Sequence, residues 1–114
     1  MVDDLIAALE SPAAGGYKAY RQGSVNDYPP AFFTFWNAET EAVRFTNNRE
    51  RLVRWVFAVC AYSSDPAEPY AMIGAAKAAL NAAGFKATGK GYDVASDVDT
   101  HTGRGIDVEG WDDP

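Results

Sequence analysis

The chain has 114 residues, 47% of them apolar and 23% charged, which is enough apolar side chain for one core and too little chain for a second. Its formal charge of −6, with carboxylates densest between Asp93 and Asp113, would repel a phosphate backbone and argues against sequence-specific nucleic-acid binding. Cys60 is the single cysteine, which excludes an internal disulfide and a cysteine-built zinc site and fits a reducing cytosol.

A single domain spanning residues 1–114 is therefore expected. The acidic, amphipathic start "MVDDLIAALE" lacks the basic region and apolar core of a secretion signal, and no apolar run reaches membrane-spanning length. These features predict a soluble protein with no membrane partner. Val2, Leu5, Ile6 and Leu9 recur at helical spacing, with Asp3 and Asp4 at the positive end of the helix dipole, so a short first helix is expected. Residues 11–30 mix Pro12, Gly15, Gly16, Gly23 and the pair Pro29-Pro30 with tyrosines, reading as a turn-rich connection with room for a second helical turn.

"AFFTFW" at 31–36 and "RLVRWVFAVCAYS" at 51–63 are dense in β-formers and predict two strands. The second is apolar on both faces, as a central strand covered by helix on one side and by something else, such as another subunit, on the other. The polar stretch 37–48 between them predicts an exposed hairpin with a wide connection. "DPAEPYAMIGAAKAALNAAG" predicts the clearest helix. Asp65 is placed as its N-cap, Pro66 at its first position, Glu68 as the capping-box partner and Gly84 just past its end; Pro69 points to an irregular first turn. The expected buried stripe is Tyr70, Ile73, Ala76 or Lys77, Leu80 and Ala83. Phe85–Tyr92 and Gly105–Trp111 read as two more strands. The order predicts an α+β domain: a mainly antiparallel sheet of about four strands with two or three helices packed on one face.

The segment "GKGYDVASDVDTHTGRGIDVEGW" at 89–111 is the richest in chemistry. "GFKATGKG" at 84–91 imitates part of a phosphate loop but lacks the hydroxyl after its lysine, and it follows a helix where that loop would precede one. Asp97, Asp99 and His101 imitate a calcium loop in the wrong register, with Val108 where the closing glutamate belongs. His101 has no second imidazole or thiolate partner for a transition metal in that stretch. Ser96, Asp93 and His101 offer triad chemistry without a nucleophile elbow or oxyanion loop. No cofactor, no metal and no enzymatic activity are expected.

"AFFTFWN" (31–37), "YSSDP" (62–66), "AAKAALNAAGF" (75–85) and above all "GKGYDVASDVDTHTGRGIDV" (89–108) resemble the tail terminator, or tail completion, proteins of long-tailed bacteriophages. The resemblance covers about two thirds of the chain and is weakest over residues 1–28. It implies a non-enzymatic structural protein that caps the growing tail tube as a ring, usually hexameric. Its implied partners are itself, the tail tube protein and the head-tail connector protein, with the genome passing through the ring. The implied location is the host cytoplasm during assembly and then the virion tail.

That segment makes Tyr92, Asp93, Ser96, Asp97, Asp99, His101, Gly103, Arg104 and Gly105 the expected subunit or tail interface. Gly103 and Gly105 would permit turns around a projecting Arg104 guanidinium, with Asp93, Asp97, Asp99 and Asp107 as carboxylate acceptors within the subunit or on the next one. On this reading Arg104→Ala weakens assembly more than folding. The competing class is a small acidic adaptor or inhibitor module that mimics nucleic acid; native mass separates a self-associating ring from such a module.

Overall fold

The computed structural model of the chain describes residues 1–24, 29–46, 49–96 and 99–112. Helix α1 spans Val2–Leu9 and buries Leu5, Ala8 and Leu9, with Asp3 and Asp4 in its first turn as the sequence implied. A short 3-10 turn at Pro12–Ala14 supplies the second helical turn of the connection. The remaining elements are β1 (Ala19–Arg21), β2 (Ala31–Thr46), β3 (Arg49–Ser63), α2 (Glu68–Ala82), β4 (Lys86–Ala87), β5 (Tyr92–Val94) and β6 (Thr102–Asp112).

The strands form one six-stranded sheet in the order β1-β2-β3-β6-β4, with β5 also paired to β6. Among the described residues only the β1–β2 pair is parallel; the pairs of β3 with β2 and of β6 with β3, β4 and β5 are antiparallel. The fold is α+β with a mostly antiparallel sheet, as expected, but it has six strands instead of about four. The additional strands come from two places. Ala19–Arg21 is three residues inside a glycine- and tyrosine-rich connection, too short for a period-2 pattern to register. The single strand expected over Phe85–Tyr92 is broken into β4 and β5, and Ala87 pairs with Val108 while Tyr92 pairs with Gly105. Uninterrupted pairing would set Tyr92 against Gly103, so two extra residues are looped out between them.

Both helices contribute to one core. Leu5 and Leu9 of α1 and Met72, Ile73, Ala76 and Leu80 of α2 pack with Phe33, Phe35, Phe57, Val59, Ala61, Ile106 and Val108 from one sheet face. The alternate residues of β2 and β3 form a smaller cluster on the opposite face, where Phe32, Cys60 and Tyr62 pack with Tyr20 and Val94. The central strand β3 is thus apolar on both faces because both are covered near its C-terminal end, and this second cover is supplied by the chain itself.

Two details of α2 differ from expectation. The helix starts at Glu68 with Ala67 as its N-cap, and no side chain caps it. Asp65 instead holds a preceding turn, accepting from the Ala67 amide at 3.0 Å, while the Ser63 hydroxyl donates to Glu68 at 3.2 Å. Pro69 in the first helical turn needs no amide partner, so the regular helix begins beside it. The buried stripe is Pro69, Met72, Ile73, Ala76, Ala79 and Leu80, so Tyr70 and Ala83 face outward. Gly84 sits at the expected end, with φ +97°; its amide reaches Asn81 O and the Phe85 amide reaches Leu80 O, a Schellman closure.

The Cys60 thiol is buried, and burial pushes its pKa up to about 11, opposed by the Tyr62 and Thr34 hydroxyls. A folded-state pKa above the unfolded one holds the proton more tightly in the native protein. The stabilisation is therefore complete below the unfolded value near 9 and is lost as pH rises toward about 11. The expected results are a falling urea midpoint above pH 9 and reaction of Cys60 with a disulfide reagent only at the rate of unfolding. Rapid thiol labelling of folded protein at pH 8 is the contrary outcome.

Candidate functional site

The site grows from the two residues looped out between β4 and β5. Gly89 and Gly91 take φ +78° and +84°, the left-handed region that glycine enters without strain, and so turn the chain away from β6 and back. At Gly91 the neighbouring backbone allows nothing else, because a Cβ there would overlap the Gly105 carbonyl oxygen. The kink leaves carbonyls that the sheet does not pair. Arg104 fills that role from β6: Nη2 donates to the Lys90 and Gly91 carbonyls at 3.0 and 3.2 Å, and Nη1 donates to Asp93 Oδ1 at 2.8 Å. The guanidinium also lies 4.5 Å from the centre of the Tyr70 ring, projected from α2. Lys77, further along the helix, donates from Nζ to the Gly89 carbonyl at 2.7 Å. Two cations thus pin the kink against the helix.

Of the expected interface residues, Arg104, Asp93 and Tyr92 come together around the kink. The Arg104 side chain is only 15% exposed and its carboxylate partner belongs to the same chain, so truncation is expected to cost folding stability as well as any assembly. Asp107, one of the expected acceptors, instead receives the Tyr92 phenol at 2.8 Å. Burial, and then that hydrogen bond to the carboxylate, hold the Tyr92 phenol above its ordinary pKa.

Gly103 and Gly105 do not make turns; both lie inside β6 with ordinary φ. Their role is room, since a Cβ at Gly103 would come within 2.6 Å of the Tyr62 ring, and one at Gly105 within 3.0 Å of the Tyr92 ring. Ser96 is half-buried in a cleft of about 340 Å³ shared with Asp93, Thr102 and Arg104. His101 ties the approach to β6 to the start of β2: Nε2 is 2.8 Å from the Pro29 carbonyl oxygen, which makes Nε2 the protonated nitrogen, and Nδ1 is 2.9 Å from the Thr100 hydroxyl. Asp99 is exposed. Asp97 lies outside the described residues.

Tyr70, Lys77 and Lys90 were not among the expected site residues. Helical spacing assigns Tyr70 to the buried stripe, yet it is 58% exposed on top of Arg104. A second cleft of about 400 Å³ opens on its other side, between α2 and the kink. No helix among the described residues is long and apolar enough to cross a membrane. No protein-family model matches the chain, and no curated protein sequence matches it.

Proposed function

We propose that the chain is a structural subunit of the tail-terminator type, which self-associates into a ring on the end of a phage tail tube, stops its polymerisation and offers a surface to the head connector. The observation that carries this reading is the β2–β3 ribbon. Among the described residues β6 accompanies β3 only from Val53 onward, and Arg49–Leu52 with the residues paired with them on β2 have no third strand there. The other edge of β2 is, among the described residues, paired by β1 only over Phe33–Phe35. The long axis of the molecule is 53 Å against 25 and 21 Å for the other two. A two-stranded ribbon is marginal in water by itself, and Val43 is exposed where this one begins, so it gains most from burial against a neighbour.

The ribbon is braced at its base, where Arg54 reaches Glu109 at 2.9 Å, Glu41 at 3.1 Å and Glu39 at 3.6 Å. A braced, projecting arm fits an assembly subunit better than a catalyst, which needs a cleft that converges on reacting groups. The chain would act in the host cytoplasm during assembly and remain in the virion tail. Mixed with tail tubes, the purified protein is expected to form closed rings at tube ends, visible by electron microscopy, and to yield tails of normal length that join heads. Protein that stays monomeric and leaves tube ends bare overturns the reading.

A further inference from the structure

We propose that the cleft between α2 and the Gly89–Gly91 kink is the receiving half of a head-to-tail contact, taking an acidic segment of a second copy of this chain. The proposal rests on the self-association in the reading above and adds the surface that carries it.

The cleft has a volume of about 400 Å³ and an apolar floor made by Tyr70, Ile73 and Gly74. Its walls bring Lys77, Lys90 and Arg104 together, and no carboxylate among the described residues lines it. The chain has ten lysines and arginines against sixteen aspartates and glutamates, so three of the ten cations converge here and seven remain to balance the sixteen carboxylates elsewhere. Two copies carrying −6 each repel one another unless a local patch of opposite sign meets the rest of the surface. Arg54 cannot supply that patch, since three carboxylates of its own chain already surround it. Asp93 compensates Arg104 from the opposite side and borders the smaller cleft instead.

The cleft is also pre-organised. Lys77 and Arg104 fix its wall through the carbonyls of Gly89, Lys90 and Gly91, so little order has to be gained on binding. Tyr70 adds a large exposed ring whose position is held by the guanidinium, the kind of aromatic that anchors an interface. Because a basic cleft and an acidic surface are different patches, the contact is heterologous and closes into a ring when its rotation allows.

Sedimentation velocity over a range of concentration and salt tests the proposal with three proteins: wild type, Lys77→Glu/Lys90→Glu, and Gly74→Leu. Gly74 is an exposed helical residue whose added Cβ meets nothing within 4 Å, so leucine there obstructs the cleft and favours the helix. Wild type is expected to associate in a salt-sensitive way, with both variants weakened ~10-fold or more while the unfolding midpoint of Gly74→Leu is no lower than that of wild type. Either variant still offers its acidic surface, so added to wild type it should occupy open clefts and shorten the assemblies. Wild type that is monomeric at every concentration overturns the contact, and monomeric protein that also leaves tail-tube ends bare removes the self-association it rests on. Wild type that associates, with Gly74→Leu and the charge reversal equal to it, removes the cleft and leaves the ring.

Discussion

Gly91→Ala is expected to lower the unfolding free energy by about 2 to 4 kcal/mol, roughly 10 to 20 °C in Tm, even after the small gain that alanine brings by stiffening the unfolded chain. Two costs add. Alanine at φ +84° occupies the left-handed region, and its Cβ would overlap the Gly105 carbonyl oxygen, a backbone atom of β6 that cannot rotate away. Gly89 is the internal control: it has φ +78° and open space within 4 Å of where a Cβ would stand, so Gly89→Ala should cost only the conformational part, about 1 kcal/mol. Urea unfolding of the two variants side by side measures the overlap by difference. Equal losses would mean that the kink relaxes around the new methyl group and does not depend on the β5–β6 contact.

What the sequence made legible was whatever repeats over several residues. The strands at 31–36 and 51–63, the alanine-rich helix and its glycine closure show in periodicity and capping chemistry and are present, but β2 runs on to Thr46 and β3 begins at Arg49, so most of the polar stretch read as a wide connection is paired strand. The failures have a common physical origin in contacts that are distant along the chain. β1 is a strand only because Phe33–Phe35 stands beside it. The break between β4 and β5 is fixed by Arg104, which lies on a different strand from the carbonyls it binds. Tyr70 obeys the helical spacing of the expected stripe, but the buried stripe follows Pro69, Met72, Ile73 and Ala76, because the sheet meets the helix one position earlier.

The glycines of β6 teach the same lesson about the site. "GRG" reads locally as flexibility around an arginine, whereas the missing side chains at Gly103 and Gly105 make space for Tyr62, Val94 and Tyr92 from other strands. Removing a Cβ from a strand weakens its intrinsic preference for extended structure, and the packing of those rings across β6 offsets the loss. The segment richest in functional residue types is therefore also a packing device, and its arginine belongs to both descriptions.

Arg104→Ala is accordingly expected to destabilise the subunit itself, by about 2 kcal/mol, before any effect on assembly. The magnitude follows from which partners can turn to water. Asp93 is 78% exposed and resolvates freely, so the ion pair contributes little. The Lys90 and Gly91 carbonyls converge on one guanidinium nitrogen inside a turn, and the Tyr70 ring loses the cation that covers one face. Asp93→Ala should then cost no more than about 1 kcal/mol, and Arg104→Lys should resemble alanine more than wild type, because an ammonium cannot span both carbonyls and the ring. Denaturant unfolding of the three variants gives the order. If Asp93→Ala proves as damaging as Arg104→Ala, the carboxylate is the partner that matters and the kink stands without the arginine. If both leave stability untouched while assembly fails, the guanidinium acts across the subunit boundary, one of the two placements that the residue pattern left open.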